Sequence, residues 1–469
     1  MPHSTDIRVA ACDVYFLPIS FRVPLKFGPE VTTHVFCLRT RVTLKDRAGR
    51  SAQGWGETPL AVSWTWPTPD VTVAERTRRM QDFSLRLARR LVDFDAPGHP
   101  MEFGYDFQKA ALMDEVALAN KEAGGTEMPY LAALVCLSAF DIAIHDAFGN
   151  LLGKDIYDCY GPDFISRDLS AFLEPEGGAG VDFRGKHVSD FLVAEAPKQL
   201  PVWHLVGGVD ALTSDDLTGS EPQDGYPVLL EDWIRRDGLT CLKVKLRGTD
   251  AGWDYDRMLR VARLGFPLGV RWLSADFNCT VREPAYVNEI LDKLLRDEPE
   301  IYARTLYVEQ PFPYELEHDM LDVRSVSGRK PLFLDESAHD WEFVKLGRRL
   351  GWSGVALKTC KTQTGALLSL CWAKAHGMPL MVQDLTNPML AMIPHVRLAA
   401  HAGTIQGVEC NGMQFYPEAS LPEAEMHPGL YARRGGQLNL DTLGGPGFGY
   451  RLAEMKRDLP AAAGEFGAL

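Results

Sequence analysis

The first 160 residues alternate in hydrophobicity and then become helical. Three segments within residues 7–60, "IRVAACDVYFLPI", "VFCLRTRVTLKD" and "SAQGWGETPL", alternate apolar with polar residues, which predicts strands. The polar stretch "KDRAGR" predicts a turn that makes the last two strands antiparallel. Residues 72–149 carry helical periodicity, and "MPYLAALVCLSAFDIAIHDAFGN" is apolar nearly all round, which indicates a buried helix. Strands followed by helices predict an N-terminal α+β domain over residues 1–160.

From about residue 228 onwards, short apolar segments alternate with amphipathic helical ones. This alternation is typical of βαβ units in a parallel sheet. With "LPVWHLV" at 200–206 as the first strand, eight strands are present, which predicts a closed barrel over residues 161–415. The weakest of the predicted helices is "ELEHDMLDVRSVSG", residues 315–328.

Two segments fall outside the barrel repeat. Residues 165–235 are rich in Gly, Pro, Asp and Ser and are predicted to form a long insertion around the first barrel strand. Residues 416–469 are rich in Gly and Pro, and we expect them to pack back on the N-terminal domain.

The polar residues that end the predicted barrel strands form an ordered set. In a (β/α)8 barrel the site is built at the C-terminal ends of the strands. The residues found there are, in chain order, Lys243 and Lys245, Asp276 and Asn278, Glu309, Asp335 and Glu336, Lys358, and Glu409. From Lys245 to Lys358 each step is one βα unit, so we expect these side chains to converge on one mouth.

The residue types in this set favour one chemistry. Asp276, Glu309 and Asp335 have no His or Cys beside them, and such hard oxygen ligands suit Mg²⁺, with Mn²⁺ as the alternative, rather than Zn²⁺. Lysines from the second and sixth strands would flank a bound acid. Abstraction of a proton alpha to a carboxylate needs a cation that stabilises the enolate and a base that is neutral near pH 7.

These stretches resemble the enolase superfamily and, within it, the muconate lactonizing enzyme subgroup. The matching motifs are "LKVKLRG", "ADFN", "YVEQP", "LDES" and "ALKTCK", together with "VPLKFGPEVTTH", "GWGETPL" and "ALVCLSAFDIAIHDAFGNLLGKDIYDCYG". The resemblance implies a (β/α)7β-type TIM barrel with an N-terminal α+β capping domain completed by the C-terminal tail.

The resemblance also implies a role for each site residue. Asp276, Glu309 and Asp335 would hold Mg²⁺, and Lys245 and Lys358 would be acid/base groups on opposite faces of the substrate. The remaining two assigned residues would bind substrate: Lys243 near its carboxylate, and Glu409, for which a strand-end cap is the alternative.

Neighbouring residues offer competing assignments. Asp335 is preferred to Glu336 as the ligand because the subgroup's motif uses the Asp, and Glu336 is left as a supporting partner. Lys358 directly ends the apolar run "GVAL", whereas Lys361 lies in the turn, so Lys358 takes the acid/base role.

The family also implies that two loops of the capping domain close over the mouth. They are "KFGPEVTTH" and "WGETPLAVSWTWPTP", and the second carries Trp55, Trp64 and Trp66. Three tryptophans in a lid favour a partly apolar or flat substrate.

The sequence departs from some relatives at two strand ends. The seventh strand ends in "MVQDLTNP", without the His base of mandelate-racemase-like or acid-sugar-dehydratase-like members. The eighth ends in "GVECNGMQ", without the D-x-D pair of dipeptide epimerases, which disfavours a dipeptide substrate.

The composition and net charge disfavour some classes of binding partner. The chain has 469 residues, 46% apolar and 24% charged, with a net charge of −14, which disfavours nucleic acid and anionic membrane as partners. The nine cysteines include no C-x-x-C pair, and no signal-peptide pattern or run of 18 apolar residues is present, so we expect a cytoplasmic protein that spans no membrane. A small-molecule carboxylate is the expected ligand, and a homo-oligomer is the expected state.

The sequence therefore predicts an isomerase or lyase. Two opposed lysines favour racemisation or epimerisation, and a single acting lysine would allow cycloisomerisation. A dehydratase that eliminates a β-substituent is the alternative within catalysis. A non-catalytic barrel that binds an acid is the alternative of another class, and loss of a metal carboxylate or of a lysine would have been its signature.

Overall fold

The computed structural model describes residues 3–27 and 30–468, so Gly28 and Pro29 of the first predicted lid loop lie outside the described residues. The strands, numbered along the chain, are β1 Ile7–Phe27, β2 Glu30–Asp46, β3 Ser51–Pro59, β4 Gln199–Val206, β5 Cys241–Lys245, β6 Trp272–Asp276, β7 Thr305–Glu309, β8 Leu332–Leu334, β9 Gly354–Leu357, β10 Leu380–Val382, β11 Val408–Glu409, β12 Gln437–Asn439 and β13 Gly464–Gly467.

The helices lie in the N-terminal domain, the barrel and the C-terminal segment. They are α1 Val62–Thr65, α2 Val73–Val92, α3 Pro100–Phe107, α4 Met113–Ala123, α5 Tyr130–Leu152, α6 Leu230–Asp237, α7 Ala251–Gly265, α8 Pro284–Asp297, α9 Pro299–Arg304, α10 Leu316–Asp319, α11 Arg324–Ser327, α12 Trp341–Leu350, α13 Gln363–Ala375, α14 Met392–Ala402, α15 Gly412–Phe415 and α16 Leu421–Met426. A π-helical segment, Gln108–Leu112, joins α3 to α4.

An antiparallel sheet forms the N-terminal domain. Its strand order is β13-β1-β2-β3, so the last strand of the chain adds to the edge of the first. The three alternating segments of the sequence become β1, β2 and β3, because one face packs on helices while the other packs in part on barrel residues such as Leu205 and Phe415.

Helix α5 is the core of this domain. Nineteen consecutive residues, Leu131–Gly149, are buried. By length and composition α5 could cross a membrane, but its most apolar window, with mean hydropathy 1.7, is 100% buried in the fold. The apolar perimeter of α5 is therefore matched to protein neighbours on all sides.

Two glycines let β3 lie directly against α5. A Cβ on Gly54 would lie 2.1 Å from the Ala147 nitrogen, and one on Gly56 would lie 2.0 Å from the Ala139 oxygen. Strand and helix backbones meet here without intervening side chains, which only glycine allows.

Eight parallel strands, β4 to β11 in chain order, form the barrel, which the pairing of β11 with β4 closes. This confirms the predicted TIM-barrel fold with an N-terminal capping domain. Strand β12 pairs antiparallel with β4, and the Phe448 nitrogen donates to Asp146 Oδ1 of α5 at 2.9 Å. The C-terminal segment thus contacts both the barrel and the capping domain.

Large side chains fill the barrel interior beneath the mouth. Trp203, Tyr307, Phe333 and Met381 are almost fully buried there, together with Cys241. Since side chains two residues apart share a face of a strand, the next inward positions on β5, β7, β8 and β10 lie one layer higher, at the mouth.

One predicted helix is wrong. Residues 315–328 form α10 and α11 rather than a single helix. Met320 adopts a left-handed conformation with φ 46°, which ends α10. Asp322 Oδ1 then accepts from the Arg324 nitrogen at 3.0 Å and starts α11.

The insertion packs on two separate surfaces. In its first part, the Glu174 oxygen accepts from Trp372 Nε1 at 2.9 Å, outside the barrel on α13. Its later part leaves β4 at the mouth, where Asp224 Oδ2 accepts from Arg22 Nε of the capping domain at 2.7 Å. The later part therefore links capping domain and barrel on the side of the mouth.

We predict that Gly56→Ala lowers the free energy of unfolding by about 1–3 kcal/mol, because the added methyl group must push β3 away from α5. Urea unfolding followed by circular dichroism measures the change. Gly252→Ala in the first turn of α7 is the matched control, since the nearest atom to its Cβ is Asp250 Oδ1 at 3.4 Å. Equal midpoints for both variants would contradict the proposed close packing.

Candidate active site

Every predicted site residue lies at the C-terminal end of the barrel. Cα pairing aligns Lys245 with Asp276 and Asp276 with Glu309, across β5, β6 and β7. Asp335 and Lys358 directly follow β8 and β9, and Glu409 ends β11. The side chains are all buried: none of Lys243, Lys245, Asp276, Glu309, Asp335, Lys358 and Glu409 is more than 7% exposed.

Lys243 lies at the centre of the carboxylates. Its Nζ donates to Glu309 Oε1 at 2.6 Å and to Glu409 Oε2 at 3.2 Å, and it lies 3.1 Å from Asp276 Oδ2. Burial opposes its charge, but Glu309 and its acidic neighbours raise the pKa of Lys243 well above its usual value. Lys243 is therefore a fixed cation that joins carboxylates from three strands.

Lys245 lies one layer above Lys243 on the same strand. Its Nζ donates to Asp276 Oδ2 at 2.5 Å, and Asp276 Oδ1 accepts from the Asn278 nitrogen at 2.8 Å. Burial alone would raise the pKa of Asp276, but Lys245 and Lys243 together lower it. Both lysines of "CLKVKLRG" therefore point into the barrel.

Lys358 and Lys361 both contact Asp335. Lys358 Nζ lies 3.2 Å from Asp335 Oδ2 and donates to the Asp384 oxygen at 2.7 Å. Lys361 Nζ donates to the Asp335 main-chain oxygen and lies 3.7 Å from Asp335 Oδ1. Burial lowers the pKa of Lys361, whereas the Asp335 charge outweighs burial and raises that of Lys358.

Sequence reasoning missed three polar groups of the mouth. Gln383, after β10, donates to Glu309 Oε2 and to the Tyr307 hydroxyl. Asp384 Oδ2 accepts from the Asn411 nitrogen at 2.6 Å. Asn411 Nδ2 also donates to Glu409 Oε1 at 2.7 Å. The strand-end rule that selected Glu309 would also have found Gln383, which the search for a His at that strand end passed over.

Trp64 brings the capping domain into the site. Its Nε1 donates to Glu336 Oε1 at 2.9 Å, and its ring centroid lies 5.1 Å from Lys358 Nζ and 5.6 Å from Lys361 Nζ. This indole covers both ammonium groups on the β9 side of the mouth and makes a cation–π contact with each.

The mouth holds more negative than positive groups. Its buried ionisable side chains are Asp276, Glu309, Asp335, Glu336, Asp384 and Glu409 against Lys243, Lys245, Lys358 and Lys361. Six carboxylates against four ammonium groups leave an excess of two negative charges when all are ionised.

The excess negative charge shows in three carboxyl groups. Burial and the Asp276 charge raise the pKa of Glu309 well above its usual range. Burial with Asp335 raises the pKa of Glu336 to about 7, and burial with Glu409 raises that of Asp384 to about 7. The lysines present do not neutralise the acids around them.

The donor set fits a hard divalent cation in composition, although the side chains are not gathered around one point. In residues 3–27 and 30–468, no three His, Cys, Asp or Glu side chains form a group that could hold a metal ion, and Lys243 lies among the carboxylates instead. Asp335 Oδ1 is nevertheless buried and has no hydrogen-bond partner within the same ranges. An all-oxygen set with two excess charges and an unpartnered oxygen suits Mg²⁺ or Mn²⁺.

A cavity of about 800 Å³ opens beside these groups. Its wall includes Trp64 and Trp66 from the capping domain and Asn278, Tyr314 and Glu336 from the barrel. A small organic molecule that enters this cavity meets Glu336 and Asn278 at its inner end.

Comparison with known proteins supports one family. Residues 227–456 match the family model "Enolase C-terminal domain-like". An aromatic dipeptide epimerase from Herpetosiphon aurantiacus is 27% identical over 310 residues, which cover 65% of this chain and 80% of that protein.

Solved structures show the same fold. The muconate lactonizing enzyme of Pseudomonas fluorescens, complexed with muconolactone, superposes with a TM-score of 0.58 at 16% identity, covering 97% of this chain and 100% of that one. The dipeptide epimerase of Cytophaga hutchinsonii, complexed with Mg and D-Ala-L-Val, gives a TM-score of 0.59 at 16% identity and covers 94% and 95%.

We predict that Lys243→Met lowers the free energy of unfolding by about 3–5 kcal/mol, because it leaves Glu309, Glu409 and Asp276 buried without their shared cation. Urea unfolding in the presence of a chelator measures the loss. Lys121→Met, an exposed lysine of α4, is the control. An unchanged midpoint for Lys243→Met would show that the central ammonium does not hold the mouth together.

Proposed function

We propose that the chain is a member of the enolase superfamily, whose C-terminal domain model residues 227–456 match, and that it is an enzyme that removes a proton alpha to a carboxylate, as a racemase, an epimerase or a cycloisomerase. One observation supports this most strongly. Lys245 ends β5 and Lys358 follows β9, and these strands are four apart in either direction around the closed barrel. The two ammonium groups therefore approach the mouth from opposite sides.

In the proposed mechanism the substrate carboxylate binds beside Lys243. Lys245 accepts the α-proton at Nζ from one face. Lys358, which the Asp384 oxygen and Asp335 orient, donates a proton to the opposite face and inverts the carbon. Trp64 excludes water from Lys358.

We also propose that Asp276, Glu309 and Asp335 hold Mg²⁺, with Mn²⁺ as the alternative. A bound divalent cation would neutralise the negative charge that develops on the carboxylate as the proton leaves. The charge excess of the mouth and the absence of a hydrogen bond to the buried Asp335 Oδ1 among the described residues support this assignment.

Two alternative functions would use the same residues at the barrel mouth. If only one lysine transfers a proton, a dehydratase could use that lysine to begin elimination of a β-substituent. A non-catalytic barrel that binds an acid would have no need of two opposed lysines. The similarity to an aromatic dipeptide epimerase favours an isomerase and adds dipeptides to the acids to be screened, although strand β11 carries no D-x-D pair.

We predict that Lys245→Ala and Lys358→Ala each reduce solvent deuterium exchange at the substrate α-carbon by about 10²–10⁴-fold, the usual contribution of an acid/base group. A panel of acyl amino acids, dipeptides and other carboxylic acids in deuterated water, scored by mass gain, identifies a substrate for the measurement.

Lys121→Ala is the matched control, because that lysine is exposed on α4 far along the chain from the barrel strands. Full exchange by both site variants would refute the two-lysine mechanism. Exchange without net inversion would favour cycloisomerisation or elimination over racemisation.

We predict that a chelator abolishes this exchange and that Mg²⁺ restores it. Calorimetric titration should show one Mg²⁺ site in the wild type, with affinity at least about tenfold lower in Asp335→Asn, which removes one charged ligand. Glu289→Gln, an exposed residue of α8, should bind Mg²⁺ as the wild type does. Equal affinities in all three proteins would contradict the assignment of Asp335.

A further inference from the structure

The wall of the cavity beside the mouth carries a net negative charge. Its charged wall residues are Glu30, Glu127, Glu315, Glu336 and Arg282. Four carboxylates against one guanidinium leave an excess of three negative charges at full ionisation, or two when Arg76, which pairs with Glu30 from behind the wall, is counted. The lysines that would receive the reacting carboxylate do not line this cavity, so the two ends of a bound molecule meet opposite surroundings.

Resting on the proposed function, we propose that the substrate is a carboxylic acid with a positively charged group, an ammonium or a guanidinium, at the end away from the reacting carbon. The cavity of about 800 Å³ binds that group. The eighth-strand D-x-D pair that binds the dipeptide ammonium in other epimerases is absent here, so this cation site is a different one.

Glu336 supplies the innermost acceptor of the cavity. It is 3% exposed, and its Oε1 accepts from Trp64 Nε1 at 2.9 Å and from Asn278 Nδ2 at 3.3 Å. Its Oε2 is buried and has no hydrogen-bond partner among the described residues. A buried acceptor without a donor is costly, and a ligand N–H would satisfy it.

Glu30 repeats this arrangement at the capping-domain wall. Its Oε1 accepts from Arg76 Nη2 at 2.6 Å, while its Oε2 is buried and lacks a hydrogen-bond partner within residues 3–27 and 30–468. Arg76 Nη1 also donates to the Trp66 oxygen at 2.5 Å. Arg76 thus holds both Glu30 and Trp66 in the wall.

The remaining wall favours the same ligand. Trp64, Trp66 and Tyr314 present aromatic rings to the cavity, and the faces of such rings attract cations. Glu127 and Glu315 form no ion pair with any described residue, so their charges act on whatever enters. An anionic end group would meet this excess negative charge and be repelled.

Binding of matched ligands tests the proposal directly. Calorimetry with Mg²⁺ present compares N-acetyl-L-lysine with N-acetyl-L-norleucine, and L-alanyl-L-phenylalanine with its N-acetylated form. We expect the cationic member of at least one pair to bind about tenfold more tightly or better, which is about 1.4 kcal/mol. Equal or weaker binding by the cationic member in both pairs would overturn the proposal.

Two variants of opposite sign sharpen the test. Glu315→Gln should lower the ratio of cationic to neutral affinity by about threefold, and Arg282→Gln should raise it by a similar factor, since partly exposed charges are screened. Glu289→Gln, outside the cavity, should leave the ratio unchanged. Shifts of the same sign in both cavity variants would contradict an electrostatic origin.

Deuterium exchange in the same samples separates this proposal from the proposed function. Preferential binding of the cationic ligand without exchange in any acid would refute the reaction and support the cation site. Exchange in neutral acids, without a binding preference in either pair, would support the reaction and refute the cation site.

Discussion

Ten ionisable side chains share one buried barrel mouth, and the balance among their charges constrains everything around them. Each carboxylate that ends a strand would be unstable there alone, because burial of an unpaired charge costs several kcal/mol. Lys243 offsets this cost for three carboxylates at once, because its ammonium group pairs with Glu309, Glu409 and Asp276. The two negative charges that remain equal in number the two positive charges that a divalent cation would supply, so stability and metal chemistry depend on the same count.

Strand periodicity brings the inward-facing members of this set together. Trp203, Tyr307 and Phe333 occupy one inward layer of the barrel, beneath the mouth. Glu309 and Asp335 stand two positions after Tyr307 and Phe333, so these strands direct both an aromatic residue and a mouth residue inward. A shift of one residue in any strand would move its functional side chain outside the barrel.

This periodicity explains how much the sequence alone could predict. Lys243, Lys245 and Glu309 follow from alternation within strands and from the βα spacing, and their inward positions agree with the prediction. Trp64 could not be found in that way, because its contact with Glu336 joins residues 272 positions apart in two domains. The turn that buries Lys361 depends on Thr362 at φ 71°, a conformation that its residue type does not signal. The insertion has no periodicity from which its packing could be predicted.

The interface between the capping domain and the barrel limits which parts of the protein can move to admit a ligand. Asp141 of α5 accepts from the Thr364 nitrogen and hydroxyl at 2.8 Å each, and His145 lies 3.0 Å from the same hydroxyl. Thr364 lies three residues after Lys361, so the core helix of the capping domain and the lysine turn form one packed unit. Rotation of the whole capping domain would break these buried contacts. Trp64, through its hydrogen bond to Glu336, extends these contacts between capping domain and barrel to the wall of the cavity.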